Sequence, residues 1–123
     1  MVELSGVSFG YQSDKNVLDN LNLRMEEGRF YGLLGMNGSG KTTLLKLIAG
    51  KLFAHGGEIY VDGRNLRERD VETLQKVFML PADFIFPNMS LEQFLAIYSE
   101  FYPEFRKEVL NDCLVNFEIQ RDI

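Results

Sequence analysis

The stretch Gly35-Met36-Asn37-Gly38-Ser39-Gly40-Lys41-Thr42 decides how the rest of this chain is read. It fits the pattern G-x-x-x-x-G-K-[ST], and each constrained position has a physical task. Glycines let consecutive backbone N–H groups turn inward into an anion nest. The start of a following helix adds its dipole to that nest. Lys41 supplies a point charge for the outer phosphates of a polyphosphate. Thr42 offers a hydroxyl to a hard cation with oxygen ligands.

The flanks give this loop its setting. Upstream, Phe30-Tyr31-Gly32-Leu33-Leu34 is almost continuously apolar and predicts a strand buried on both faces. Downstream, Thr42-Thr43-Leu44-Leu45-Lys46-Leu47-Ile48-Ala49 predicts a helix that stops at Gly50. Strand, glycine loop and helix in that order make the loop a phosphate-binding P-loop rather than a chance glycine turn.

Further out, Val2, Leu4, Val7 and Phe9 are apolar at near-alternating positions, and Leu21, Leu23 and Met25 repeat with period two. This predicts an antiparallel sheet with one wet face. Glu58-Ile59-Tyr60-Val61 predicts a short strand closed by the turn Asp62-Gly63, and residues 66–74 a helix. Val77-Phe78-Met79-Leu80 predicts another buried strand, ended by Pro81. In the last third, Ser90 and Gln93 resemble a capping box. Leu91, Phe94, Leu95 and Tyr98 follow at helical spacing. Pro103 is placed to open the next helix at its first turn. That helix carries an apolar stripe of Val109, Leu110, Cys113, Leu114 and Phe117, with Cys113 read as packed. Such stripes need a partner surface, so the isolated chain is expected to self-associate.

Composition removes other classes. The 123 residues carry 13 Lys+Arg against 18 Asp+Glu, a net charge of −5, which disfavours nucleic acid as a partner. One cysteine, Cys113, excludes an internal disulfide, and one histidine, His55, read as a surface loop residue, argues against a histidine metal site. No run approaches membrane-spanning length, and Met1-Val2-Glu3-Leu4 does not open a signal peptide, so the expected compartment is the cytoplasm.

The flanking motifs resemble those of ATP-binding cassette (ABC) ATPases. They are Leu4-Ser5-Gly6-Val7-Ser8-Phe9-Gly10-Tyr11, Val17-Leu18-Asp19-Asn20-Leu21-Asn22-Leu23, Glu27-Gly28-Arg29-Phe30 running into the P-loop, Leu44-Leu45-Lys46-Leu47-Ile48-Ala49-Gly50, and Gly57-Glu58-Ile59-Tyr60-Val61-Asp62-Gly63. The resemblance covers nearly the whole chain and roughly the first half of such a domain. It implies an α/β P-loop core with an N-terminal antiparallel β part over residues 1–30, a core part over 30–88, and the start of a helical subdomain over 89–123. The expected fold is thus a truncated ABC-type nucleotide-binding domain.

The resemblance also assigns roles. ATP and Mg²⁺ are the implied ligands. Tyr11 stands where the family places an aromatic ring that stacks on adenine, with Phe9 as the alternative. Gly35, Asn37, Gly38, Ser39, Gly40, Lys41, Thr42 and Thr43 would hold the phosphates, Lys41 as the catalytic cation and Thr42 as the Mg²⁺ ligand. After Met79-Leu80-Pro81, the family's usual glutamine position holds Ala82, whose methyl can neither ligand a metal nor orient water; Asp83 is the nearby carboxylate. The signature segment, the Walker B strand and the switch histidine fall beyond residue 123 in a typical member. This chain alone is therefore expected to bind Mg-ATP weakly and to hydrolyse almost none.

The intact protein would couple ATP to transport through a membrane permease, pairing with a second cassette at the inner face of the membrane. The tail around Phe101-Tyr102-Pro103 is most like cassettes of drug or ABC-2-type exporters. Competing readings are a non-transport ABC ATPase of DNA repair or the ribosome, a different P-loop enzyme such as a nucleotide kinase or GTPase, and a non-hydrolysing nucleotide-binding module.

Overall fold

The computed structural model describes residues 1–119. The chain divides into two compact units, Met1–Met79 and Leu80–Ile123.

The first unit is built on a sheet of four antiparallel strands in the order β2-β1-β3-β4. They are β1 (Val2–Phe9), β2 (Leu18–Met25), β3 (Gly56–Val61) and β4 (Arg64–Asn65). The apolar residues of β1 are spaced two, three and two apart, and strict alternation cannot put Leu4 and Val7 on one face. The register shows the solution. Leu4 faces Leu23, yet Val7 faces Leu21, so β1 carries one extra residue between them. Gly6 sits in this bulge at φ +59, and its N–H donates to Asn22 Oδ1 at 2.9 Å. A second shift, between Val7 and Phe9, puts the extra residue in β2, where Asn20 has φ +47. The bulge in β1 thus puts Leu4, Val7 and Phe9 on one face, in the core, and the bulge in β2 sets Leu18 opposite Phe9.

Helix α1 (Lys41–Ile48) packs the other side of that core with Leu44 and Leu47. Full burial of Leu47 contributes about 1.5–3 kcal/mol. The helix ends as its sequence predicts. Gly50 is left-handed at φ +68, and the bonds Gly50 N to Leu47 O and Lys51 N to Lys46 O, 3.0 and 2.9 Å, satisfy the last carbonyls. Asp62 and Gly63 are both left-handed, φ +49 and +78, which closes β3 onto β4 by the tightest hairpin turn. A single helix over 66–74 does not form. A 3₁₀ turn, Leu66–Glu68, and α2 (Val71–Gln75) take its place, because Arg69 turns left-handed and Asp70 starts afresh as an N-cap for Thr73 N.

Two predicted buried strands are absent. Neither residues 30–34 nor residues 77–80 form a strand among the described residues. Leu34 is 94 % exposed and Leu80 75 %. A strand needs a neighbour for its N–H and C=O groups, and none of the four strands runs alongside either segment.

The second unit contains α3 (Leu91–Tyr98) and α4 (Lys107–Asn116). The capping box forms as read: Gln93 N donates to Ser90 Oγ at 3.2 Å, and Ser90 N to Gln93 Oε1 at 3.1 Å. Pro103 does not open α4. It lies in a turn closed by Phe105 N to Tyr102 O at 2.9 Å, where its fixed φ suits the second position, and α4 begins four residues later. Only Leu114 of the expected α4 stripe is buried, and Cys113 is exposed rather than packed.

Candidate nucleotide-binding site

The P-loop follows from backbone requirements. Gly38 and Gly40 stand at φ +83 and +95, a region that side chains disfavour. At Gly35 the requirement is space, since a Cβ there would lie 2.7 Å from Ser39 Oγ. At Gly40 it is both. A Cβ would lie 3.0 Å from Val17 Cγ1 and from Leu18 Cδ2, so the loop is seated against the start of β2. Gly40 is also the N-cap of α1, and no side chain caps that end. The first turn of α1 therefore points its N–H groups outward from a helix start with no acid beside it.

Lys41 lies across the mouth of the loop. Its Nζ donates to Gly35 O at 2.6 Å, Met36 O at 2.7 Å and Ser39 Oγ at 3.5 Å. All three ammonium donors are thus directed at the loop. Ser39 N donates to Met36 O at 3.1 Å and tightens the turn from within.

Sequence reading put Tyr11, Asn37, Gly38, Gly40, Lys41, Thr42 and Thr43 in one site, and these residues line one cleft of about 290 Å³ together with Val17. Tyr11 reaches it from the far side of the sheet connection. Its hydroxyl is 3.1 Å from Thr43 Oγ1, and its ring meets Phe9 edge to face at 5.1 Å. Phe9, the alternative stacking ring, is buried in the core and is not available for a ligand. His55 also packs on Phe9, tilted, with ring centroids 4.9 Å apart. In the sequence Val17 reads as part of the second strand segment and not as a site residue. Its signal was a β-branched residue just ahead of β2, which reads equally well as sheet.

Ala82 and Asp83 lie in an exposed turn of the second unit. Among the described residues no cluster of three or more acids, histidines or cysteines could hold a metal by itself. The donor set nonetheless suits a magnesium ion delivered with its nucleotide, because Mg²⁺ keeps water and phosphate oxygens and needs only one or two protein oxygens. Thr42, exposed at the loop's edge, is such a donor. The cleft can therefore receive a polyphosphate at the uncapped helix start, with Lys41 as counter-charge and the exposed Tyr11 beside it.

The chain is similar to known proteins in sequence and in fold. The sequence model described as "ABC transporter" matches residues 18–121. A solved ATP-binding subunit of an ABC transporter superposes with TM-score 0.81 at 24 % identity, over 99 % of this chain and 52 % of its own, and so shows the shared fold. An ABC transporter ATP-binding protein from Pyrococcus furiosus is 33 % identical, with TM-score 0.76, over 99 % of this chain and 60 % of its own. A dimeric ATP-binding cassette in a post-hydrolysis state, bound to ADP and Pi, is 25 % identical with TM-score 0.74, over 98 % of this chain and 58 % of its own. The chain thus spans between half and three-fifths of the length of these structures.

Proposed function

The chain belongs to the ABC transporter family, and from that premise we propose that it is the nucleotide-holding part of an ATP-binding subunit coupling ATP to transport through a membrane permease. One observation carries the reading: Asn37, Gly38 and Gly40 of the loop, Lys41, Thr42 and Thr43 at the uncapped start of α1, and the exposed Tyr11 all line one cleft. The triphosphate would lie over the N–H groups of the loop and of the first turn of α1. Lys41 would leave the loop carbonyls for the outer phosphates. Thr42 would complete the shell of a magnesium ion, which supplies charge neutralisation on the phosphate oxygens. Tyr11 would stack on the adenine, a contact that favours purines without reading them strictly.

In this proposal residues 1–30 are the antiparallel β part, 30–88 part of the P-loop core, and 89–123 the start of a helical subdomain. The partners are a second cassette and a permease, and the place is the cytoplasmic face of the membrane. No helix among the described residues is long and apolar enough to cross a membrane, so contact with the bilayer would run through the permease. The 123-residue chain itself would bind Mg-ATP and turn it over scarcely at all.

The test is titration of the chain with Mg-ATP by calorimetry, beside Lys41→Ala. A charge-assisted contact is worth about 1.5–3 kcal/mol, so the variant should bind roughly 10- to 150-fold more weakly. Equal affinity in the two proteins would sink the nucleotide reading.

A further inference from the structure

Thr43 is a polar side chain only 6 % exposed, on the first turn of α1 beside Lys41 and Thr42. Its Oγ1 lies 3.1 Å from the hydroxyl of Tyr11, a bond across 32 residues of chain. Tyr11 in turn is held along its side by Phe9, edge to face with an interplanar angle of 89°. Phe9 is buried and backed by His55, so that support is fixed. Yet the Tyr11 residue remains 62 % exposed. The ring is therefore held at its tip and by Phe9 while the residue stays largely exposed at the lining of the cleft.

We propose that Thr43 is a positioning residue for base recognition: its hydroxyl anchors the tip of the Tyr11 ring, and so the direction in which the ring points, before the nucleotide arrives, while the edge contact with Phe9 holds its plane. The proposal rests on the nucleotide reading above and adds how the base end of the site is organised. An exposed tyrosine turns about two side-chain torsions, and stacking a base on it would first have to arrest that motion. A ring already tethered avoids this ordering cost on binding. The tether also has a location. It runs to the same helical turn that carries Lys41 and Thr42, so the base platform and the phosphate cradle are attached to one rigid element. Each hydroxyl can both donate and accept, so when Tyr11 donates, the Thr43 proton stays available to the ligand.

The readout is the ratio of affinities for Mg-ATP and for magnesium tripolyphosphate, a probe with the phosphates but no base, measured on the full chain. Tyr11→Phe keeps the ring and removes the bond. It should weaken ATP roughly two- to tenfold, the ordering cost of one side chain, and shift tripolyphosphate by less than about twofold. Thr43→Val in the Tyr11→Phe background should not change the ratio further, whereas Thr43→Ser, which retains a hydroxyl, should keep the ratio of the parent. Tyr11→Ala separates the two layers of the argument. If Tyr11→Ala lowers the ratio and Tyr11→Phe does not, stacking stands and the tether is overturned. If Tyr11→Ala leaves the ratio unchanged as well, Tyr11 does not hold the base, and the stacking reading and the tether both fall.

Discussion

Gly38 and Gly40 offer a matched pair of substitutions inside one loop. Both stand at positive φ, +83 and +95, but their surroundings differ. An added Cβ at Gly38 meets nothing within 4 Å, whereas at Gly40 it meets Val17 Cγ1 and Leu18 Cδ2 at 3.0 Å and Val17 O at 3.4 Å. Gly38→Ala should therefore show the backbone strain alone, about 1–2 kcal/mol. Gly40→Ala should show that strain plus crowding. Overpacking costs about 1–3 kcal/mol in general, and the low end applies here because two of the three neighbours are side-chain atoms that can yield by a few tenths of an ångström. The expected total for Gly40→Ala is about 2–3 kcal/mol. Urea denaturation followed by circular dichroism reads both, the midpoint falling while the slope stays fixed. Where the loop rearranges instead of straining the fold, the loss moves to Mg-ATP affinity, so the sum of the two effects is the quantity to compare. A Gly40→Ala variant no worse in that sum than Gly38→Ala would refute the seating of the loop against Val17 and Leu18.

Other outcomes follow from the same contacts. Gly57→Ala should prevent the native sheet, because at φ +74 its Cβ would fall 2.3 Å from the backbone oxygen of Gly6; loss of the sheet signal in the far ultraviolet checks this. Leu47→Ala should cost about 2–5 kcal/mol in chemical denaturation, since that side chain is fully buried under the sheet. The carboxyl of Asp62 is held down to about 2 by hydrogen bonds from the Met1 ammonium and then from Lys76. A group depressed in the fold stabilises above its unfolded value, near 3.8, and that contribution disappears as pH falls from there to about 2. Acid titration of Asp62→Asn should therefore lack this step, while a step of unchanged size would assign it elsewhere. Sedimentation at rising concentration should show self-association of the isolated chain, given the exposure of Phe30, Leu34, Phe78 and Leu80.

Much of the site was legible because its logic is local. Eight consecutive residues specify the loop, and Gly50, Ser90 and Gln93 specify helix ends through bonds made within a few residues. The break in alternation between Leu4 and Val7 also had a local meaning, a bulge at Gly6. What the sequence could not supply was pairing. Phe30-Tyr31-Gly32-Leu33-Leu34 has the composition of a buried strand, but being a strand is a relation between two segments, and composition does not name the second. The bond from Tyr11 to Thr43 was illegible for a related reason. Each residue was placed at the site separately, and nothing in their positions 32 apart says that their hydroxyls meet. Cys113 shows the converse error, because a helical stripe gives a direction along the helix and not the presence of something to pack against.

The posture of Lys41 has a consequence for how binding would register. Its ammonium already holds two carbonyl oxygens and a hydroxyl of its own loop. Any phosphate must take that cation away from them, so the loop acts as a resident competitor for its own lysine. Affinity is then the difference between two solvated, hydrogen-bonded arrangements rather than the full strength of either. Heat released on binding should be small for so charged a contact. A change that weakened only the internal partners would tighten polyphosphate binding without adding a single contact to the ligand.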